Sequence, residues 1–216
     1  MNVGVIGSGQ VGQVLSDGFL GHGHTVMRGS RDPSRLEAWK ETAGEGASVG
    51  TLPEAARWAE LVVLAVKGNA AERAVRLCGI GNLAGKTVID TTNPLSDEPP
   101  EDGVLRYFTT ADESLMERLQ RAAPNARFVK SFSCVGNALM VDPELEGGRP
   151  TMFICGNDDA AKDQVRDILE DFGWEHEDLG GATAARAIEP LCILWCIPGF
   201  LRNDWMHAYK VLRPKK

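Results

Sequence analysis

A glycine-rich turn near the start of the chain constrains the fold more than any other segment. The apolar residues 3–6 are followed by Gly7-Ser8-Gly9-Gln10-Val11-Gly12 and then by a helical pattern of apolar residues. This strand–turn–helix context distinguishes a dinucleotide fingerprint from the glycine-rich turns that are common in proteins. Its glycines permit a tight turn and the close approach of a pyrophosphate, which the helix N-terminus attracts. The predicted dinucleotide-binding residues of this turn are Gly7, Ser8, Gly9, Gln10 and Val11.

The residues after the predicted second strand indicate which dinucleotide binds. NAD-binding versions of the fold usually carry an acidic residue there, which accepts a hydrogen bond from the ribose 2′-OH. This chain has Ser30 and Arg31 at that place, followed by Arg35. A hydroxyl and two guanidinium groups suit a 2′-phosphate, so the sequence favours NADP(H).

The alternation of strand and helix patterns predicts the fold class. Residues 61–66 form an unbroken apolar run, as is typical of a parallel strand buried on both faces. Strands and helices alternate up to about residue 180, which predicts an α/β, Rossmann-like, doubly wound parallel sheet. From residue 182 the pattern is helical only, with helices expected over 184–195 and 198–212. We therefore predict an NADP-binding domain over 1–180 and C-terminal helices over 181–216 that complete the cleft and a dimer interface.

Ligands of such sheets bind at the carboxyl ends of the strands, which selects further candidates. Val66 and Lys67 follow the predicted fourth strand, and Asn93 and Pro94 follow the fifth. The amide of Asn93 is placed to fix a carboxamide. In the acidic segment before the next helix, Thr110 and Glu113 fit a capping box.

Proton donors are scarce in the predicted crevice. Lys67 matches the adenosine side of the cleft, and Lys130 stands at a strand end as a solvated or backbone-capping amine. We assign no catalytic acid or base. Hydride exchange between a nicotinamide and a flavin-like ring needs none, because stacking and alignment supply much of the acceleration.

Composition excludes several other classes of function. The net charge of −7 argues against nucleic-acid and anionic-membrane binding. Residues 187–201 are apolar but contain Glu189, Pro190 and Pro198, so we expect no membrane span, and the early first strand leaves no room for a signal peptide. Five cysteines without a C-x-x-C pair predict free thiols in the cytoplasm. Nearby residues supply no further metal ligands for Cys192 and Cys196, so we predict no metal site.

Several segments together carry a more specific resemblance. They are the turn 7–12, Gly29-Ser30-Arg31 with Arg35, Asp90-Thr91-Thr92-Asn93-Pro94-Leu95, and Lys130-Ser131-Phe132-Ser133-Cys134-Val135-Gly136-Asn137. The chain in these segments resembles the NADPH-dependent deazaflavin (coenzyme F420) reductases, a family that is similar to the reductase domain of the Steap metalloreductases.

The resemblance implies a homodimer in which a deazaflavin lies between the Rossmann-like domain and the C-terminal helices. It implies that NADPH is held by residues 8–11, Ser30, Arg31, Arg35 and Val66. Asn137 would lie near the nicotinamide, and the loop 133–137, with Ser133 and Val135, would border the deazaflavin. Archaeal members carry His where this chain has Ser133, so the identity of the acceptor does not follow from the resemblance.

The leading hypothesis is therefore an oxidoreductase that passes a hydride between NADP(H) and coenzyme F420. Alternatives are an NADPH-dependent flavin reductase acting on FMN, FAD or riboflavin, with or without a ferric ion downstream, and a regulator that binds NADPH without turnover. A pyrroline-carboxylate or hydroxyacid reductase is disfavoured by the length of 216 residues. The C-terminal segment is apolar on more than one side, which also favours a homodimer.

Overall fold

The computed structural model describes residues 1–214, which form one sheet flanked by helices. The strands are β1 Asn2–Ile6, β2 Thr25–Ser30, β3 Ala47–Thr51, β4 Leu61–Leu64, β5 Thr87–Asp90, β6 Arg127–Lys130, β7 Thr151–Gly156 and β8 Glu175–Asp178. The helices are α1 Gln10–Gly21, α2 Glu37–Ala43, α3 Leu52–Trp58, α4 Gly68–Cys78, α5 Ile80–Leu83, α6 Leu115–Ala122, α7 Asp159–Asp171, α8 Ala185–Ile188 and α9 Pro190–Arg202.

The strand order is β3-β2-β1-β4-β5-β6-β7-β8, which confirms the Rossmann-like α/β fold. All pairs from β3 to β6 are parallel, but β7 pairs with β6 in the antiparallel direction and β8 is parallel to β7. The prediction of a wholly parallel sheet was wrong at this edge. A parallel partner needs a crossover helix, whereas residues 131–150 contain only the short 3-10 turn Asn137–Leu139.

Two apolar layers cover the two faces of the sheet. One layer packs α1 and α7 against it and is centred on Phe19, Phe132, Phe172 and Trp174. The other packs α3, α4, α6 and α8 against the opposite face. β4 is buried along its whole length, as its unbroken apolar run predicts. These layers fix the carboxyl ends of the strands, where a ligand would bind.

The C-terminal segment differs from its predicted form beyond residue 202. The expected break at Pro190 separates α8 from α9, but the helix predicted over 198–212 was wrong, because α9 ends at Arg202. Asn203 adopts a left-handed backbone (φ +55°), and the Trp205 ring folds back onto Gly199, where a Cβ would collide with it. Residues 203–214 then run without regular structure, and Thr151 N donates to Tyr209 O at 2.8 Å.

Helix α6 is capped by a different pair from the predicted one. Ser114 and Glu117 form the capping box, not Thr110 and Glu113. The Glu113 carboxylate instead pairs with the guanidinium groups of Arg118 and Arg121. Propensity alone could not separate the two candidate boxes, because both spacings are correct.

By length and composition alone, one helical stretch in the described chain, residues 182–202, could cross a membrane. A third of its most apolar window is buried inside the fold. Glu189, within that stretch, is 2% exposed and ion-paired to Lys130 of the sheet.

The ion pair between Arg186 of α8 and Glu117 of α6 predicts a pH-dependent contribution to stability. Arg186 donates to Glu117 at 2.7 and 2.9 Å and lowers the pKa of that carboxyl from 4.5 to about 2. A depressed folded-state pKa gives stability that is complete above the unfolded value and is lost as the pH falls. Arg186→Met should lower Tm at pH 7 by up to about 4 °C, and the difference from the native chain should close between pH 4.5 and 2.

Thermal unfolding followed by circular dichroism across this pH range checks the expectation. Arg76→Met is the matched control, because Arg76 pairs with the partly exposed Glu72 of its own helix, at 3.6 Å, and not with another element of the described chain. A Tm difference for Arg186→Met that stayed constant down to pH 2 would contradict the assignment.

Candidate cofactor cleft

The glycine-rich turn links the ends of three neighbouring strands. Gly7 has φ +145°, and a Cβ there would collide with the carbonyl oxygen of Ala65 at the end of β4. Gly7 N also donates to Gly29 O of β2 at 3.0 Å. Gly9, the N-cap of α1, has open space where a Cβ would stand. Gly7 therefore sets the tight turn. Gly9 leaves its backbone accessible to a ligand at the N-terminus of α1.

Arg28, a buried residue that the sequence analysis did not single out, hydrogen-bonds to the backbone of this turn. Arg28 of β2 is 1% exposed, donates from Nη2 to Gly9 O at 3.2 Å and stacks over Trp39, 4.8 Å from the ring centroid. Trp39 Nε1 in turn donates to Asp17 of α1 at 2.7 Å. Burial lowers the pKa of Arg28, and Asp17 partly offsets this. The signal available in the sequence was a charged residue in the middle of a strand, directly after Val26 and Met27.

Two adjoining cavities of about 420 and 430 Å³ lie at the carboxyl ends of the strands, and together they form what we call the cleft. Both are bordered by Gly9, Val66 and Lys67. The first cavity also contains Gly7, Ser8, Ser30 and Arg31, and the second contains Gln10, Val11 and Asn93. The structure thus brings most of the predicted nucleotide-binding residues to one place.

The first cavity carries the groups expected for a 2′-phosphate. Ser30 is buried and its Oγ accepts from Asp32 N at 3.2 Å, while Arg31 is exposed on the rim. Asp32, the acidic residue nearest to the end of β2, accepts from Ser34 Oγ at 2.6 Å and caps the 3-10 turn Pro33–Leu36. Arg35 is exposed on that turn and does not line either cavity.

The long loop after β5 closes the outer side of the second cavity. Asp97 of this loop accepts from Asn69 Nδ2 at 2.7 Å and lies 3.8 Å from Lys67 Nζ. The Lys67 side chain is 83% exposed. This amine therefore forms a solvated ion pair across the mouth of the cleft, and it stands beside both cavities rather than at one end.

Asn93 connects the cleft floor with the loop after β6. Its Nδ2 donates to Ser133 O at 2.7 Å, while Asn93 Oδ1 and Ser133 Oγ are buried and find no hydrogen-bond partner among the described residues. Buried polar atoms are nearly always paired, so the unpaired Oδ1 of Asn93, which lines the second cavity, suits a donor of a ligand, whereas Ser133 lies behind Asn93 and lines neither cavity. The amide of a carboxamide is such a donor.

The other predicted residues of this region lie behind or beside the cleft. Pro94 is buried and its carbonyl accepts from Phe108 N at 2.9 Å. Val135 and Asn137 do not line either cavity. Phe132, with φ +58°, turns the chain at the end of β6, and Val135 beyond it is buried in the core. Gly136 then packs against the Trp195 ring of α9 so closely that a Cβ would collide with it.

The prediction that Lys130 is a solvated or backbone-capping amine was wrong in its first alternative. Lys130 is fully buried, with Nζ 2.7 Å from Asp90 Oδ2 and 2.9 Å from Glu189 Oε1. It does cap a backbone carbonyl, that of Thr92, at 2.8 Å. Burial lowers the pKa of this amine, but the two carboxylates raise it to a value above the ordinary one.

Among the described residues that line the cleft, the ionisable side chains are Arg31, Lys67, Arg73 and Asp97. A histidine, tyrosine or cysteine is not part of this lining. Beside it, burial raises the pKa of the Cys134 thiol to about 12. The cleft is therefore rich in backbone donors and cations and poor in groups that could move a proton at neutral pH.

These features fit NADP(H). A ready site for the pyrophosphate is the open backbone at Gly9 on the N-terminus of α1, and Ser30 and Arg31 present donors at the far end of the first cavity. Asn93 Oδ1 offers an unpaired acceptor in the second cavity. The bound dinucleotide would supply the hydride.

Comparison with known proteins agrees with this geometry. Residues 2–94 match the family model described as NADP oxidoreductase, coenzyme F420-dependent. The crystal structure of a candidate F420-dependent NADP reductase from Arthrobacter sp. FB24 superposes with a TM-score of 0.92 at 32% identity, over 99% of this chain and 100% of that one. The chain belongs to the coenzyme F420-dependent NADP oxidoreductase family.

Two further proteins are similar to this chain in sequence or in fold. Metalloreductase STEAP3 of Rattus norvegicus is 31% identical over 98% of this chain, which spans only 42% of that protein. An imine reductase from Streptomyces aurantiacus has a TM-score of 0.65 at 22% identity, over 93% of this chain and 63% of that one, and shares the fold. The chain is an NADPH-dependent oxidoreductase by family, and the chain spans less than half the length of the metalloreductase.

The position of Arg31 predicts a selective effect on NADP(H). A charge-assisted hydrogen bond is worth roughly 1.5–3 kcal/mol, so Arg31→Ala should weaken NADPH binding about ten- to a hundredfold. NADH binding should hardly change, because NADH lacks the 2′-phosphate. Fluorescence titration with both nucleotides measures the two dissociation constants.

Arg57→Ala, an exposed arginine in the last turn of α3, is the matched control and should leave both constants unchanged. Equal losses of NADPH and NADH in Arg31→Ala would show that Arg31 does not contact the 2′-phosphate.

Proposed function

We propose that this protein transfers a hydride between NADP(H) in the cleft and the planar ring of a deazaflavin, coenzyme F420. The observation that carries the proposal is a dinucleotide cleft whose described lining holds no histidine, tyrosine or cysteine, and whose Lys67 and Asp97 pair with each other at the exposed mouth. Reduction of a carbonyl or imine usually requires a proton donor beside the hydride path. Hydride exchange between two rings requires alignment instead.

Each part of the chain has a defined task in this proposal. The backbone of residues 8–11 binds the pyrophosphate, and Ser30, Arg31 and Arg35 bind the 2′-phosphate. Asn93 accepts from the carboxamide through Oδ1, so that its own amide can keep the Ser133 carbonyl in place at 2.7 Å. The loop 133–137 borders the acceptor and excludes water on that side, with Trp195 packed behind Gly136.

A second candidate is an NADPH-dependent flavin or ferric reductase. The similarity to a metalloreductase over 98% of this chain supports it, although that protein is more than twice as long. Ser133 stands where archaeal F420-dependent members carry His, which leaves more room at the acceptor side. A third candidate, a regulator that binds NADPH without turnover, is distinguished by the absence of any acceptor-dependent oxidation.

A label transfer experiment tests the leading proposal. NADPH carrying deuterium at the transferred position of the nicotinamide should deliver the label to the carbon of the deazaflavin ring that accepts the hydride. A carbon–deuterium bond does not exchange with water, so mass spectrometry of the reduced deazaflavin should find nearly the whole label.

The same protein is then mixed with NADPH and FMN, FAD, riboflavin or a ferric chelate, and the absorbance of both partners is followed. Turnover with a flavin or chelate that exceeds turnover with the deazaflavin at least about tenfold in kcat/KM would replace the leading proposal by the second candidate. Label found only in solvent after deazaflavin reduction would contradict direct transfer.

We further propose a homodimer in the cytoplasm. Leu194, Phe200 and Leu201 of α9 and Met206 after it are 45–62% exposed, which is a large apolar surface for one chain. A second copy related by a two-fold axis would cover the same surface on both chains. All five cysteines are free thiols, which suits a reducing compartment.

Light scattering should therefore give twice the chain mass of 23.3 kDa at micromolar concentration. Leu201→Asp should give the monomer mass, because a charge at a buried interface is costly. Ile80→Asp, which changes an exposed apolar residue of α5, is the matched control and should remain dimeric. A monomer mass for the native chain would refute the dimer.

A further inference from the structure

A fully buried charge network joins the C-terminal helices to the floor of the cleft. At its centre, Lys130 Nζ donates to Thr92 O at 2.8 Å and forms ion pairs with Asp90 Oδ2 at 2.7 Å and Glu189 Oε1 at 2.9 Å. The side chains of Lys130 and Asp90 are 0% exposed, and that of Glu189 is 2% exposed. The amine is thus saturated with acceptors and has no path to a substrate.

The network holds Thr92 from both sides of its backbone. Lys130 binds the Thr92 carbonyl, while Asp90 Oδ1 accepts from Thr92 N at 2.9 Å and from Thr92 Oγ1 at 2.7 Å. Thr92 and the next residue, Asn93, both line the second cavity. The network therefore fixes the short segment that carries the unpaired Asn93 Oδ1.

Asn93, the residue after Thr92, is fixed by contacts of its own with α4 and with the loop after β6. Its carbonyl packs directly on Gly68, the first residue of α4, where a Cβ would collide with it. Its Nδ2 binds the Ser133 carbonyl, which places the loop after β6. A displacement of Thr92 would move both the carboxamide acceptor and the border of the acceptor site.

At its other end the network fixes the C-terminal part of the chain. The Glu189 carboxylate accepts from Leu115 N and Met116 N, both at 3.0 Å, at the N-terminus of α6. Partial positive charge at a helix N-terminus stabilises a carboxylate there. Glu189 immediately precedes α9, whose Trp195 packs on Gly136 of the acceptor loop.

We propose that Lys130 and Glu189 are positioning residues, which hold Thr92 and Asn93 so that the nicotinamide end of the cleft stays aligned with the acceptor loop. This rests on the proposed function, in which the nicotinamide lies beside Asn93. The adenosine and 2′-phosphate groups lie in the other cavity and do not depend on the network. Its loss should therefore impair hydride transfer much more than it impairs binding of the adenosine half.

The test measures binding of the adenosine half of the cofactor separately from binding of the whole cofactor. Dissociation constants are measured for NADPH and for 2′-phosphoadenosine diphosphate ribose, which lacks the nicotinamide, together with the single-turnover rate of hydride transfer. Lys130→Met and Glu189→Gln should reduce the rate about ten- to a hundredfold, because misplacement by an ångström costs up to this much. The dissociation constant of the fragment should stay within about twofold of the native value. The ratio of the fragment's dissociation constant to that of NADPH should therefore fall.

Thr92→Val keeps the proposal testable if Lys130→Met fails to fold, since two buried carboxylates would then lack their counter-ion. It removes only the Thr92 hydroxyl bond to Asp90 and should reproduce the rate defect, while Thr92→Ser should restore the rate. Lys162→Met is the matched control. This lysine is also buried between two carboxylates, Asp159 at 3.1 Å and Asp178 at 2.9 Å, but it lies at the β8 edge of the sheet.

Equal loss of fragment binding and rate in Thr92→Val, or no loss of either, would overturn the positioning role. A native chain that transfers no hydride to any acceptor would refute the proposed function instead. In that case the ratio of the two dissociation constants still decides the inference, because it reports nicotinamide placement without turnover.

Discussion

The arrangement of this protein depends on one lysine that is paired inside the fold. Lys130 belongs to the sheet, and its two carboxylate partners come from β5 and from the junction between α8 and α9. The cost of removing three charges from water is offset only if every proton and lone pair finds a partner. The contacts of Glu189 with Lys130, Leu115 and Met116 fix the start of α9 against the sheet. Apolar packing alone would permit several placements, so we regard the network as a source of specificity more than of stability.

The nucleotide half of the cleft could be predicted from the sequence because its determinants are local. Gly7, Gly9 and Ser30 act through their own backbone conformation or through their place at a strand end, and both follow from neighbouring residues. The cap that Asp32 forms on the 3-10 turn starting at Pro33 is equally local. Arg28 was missed because its role comes from Trp39 and Gly9, which are distant in sequence and meet only in the folded chain.

The acceptor half could be predicted only in outline, because long-range contacts shape it. The reversed direction of β7 depends on how residues 131–150 cross the sheet edge, and no periodic pattern records that path. The end of α9 depends on Trp205 folding back onto Gly199. Glu189 was visible as an acid within an apolar run, but its partner Lys130 lies far away in the chain.

The order of synthesis determines when each half of the cleft can be completed. The strands and helices around the first cavity are complete by Cys78, whereas Lys130 lacks its third partner until Glu189 has been made. The backbone hydrogen bond from Thr151, at the start of β7, can form only after Tyr209 has been made. Since chains tend to fold from the N-terminus during synthesis, the nucleotide half can form early. The proposed acceptor half, by contrast, needs Glu189 and Tyr209, so a product that stops before Glu189 would lack the contacts that fix this half.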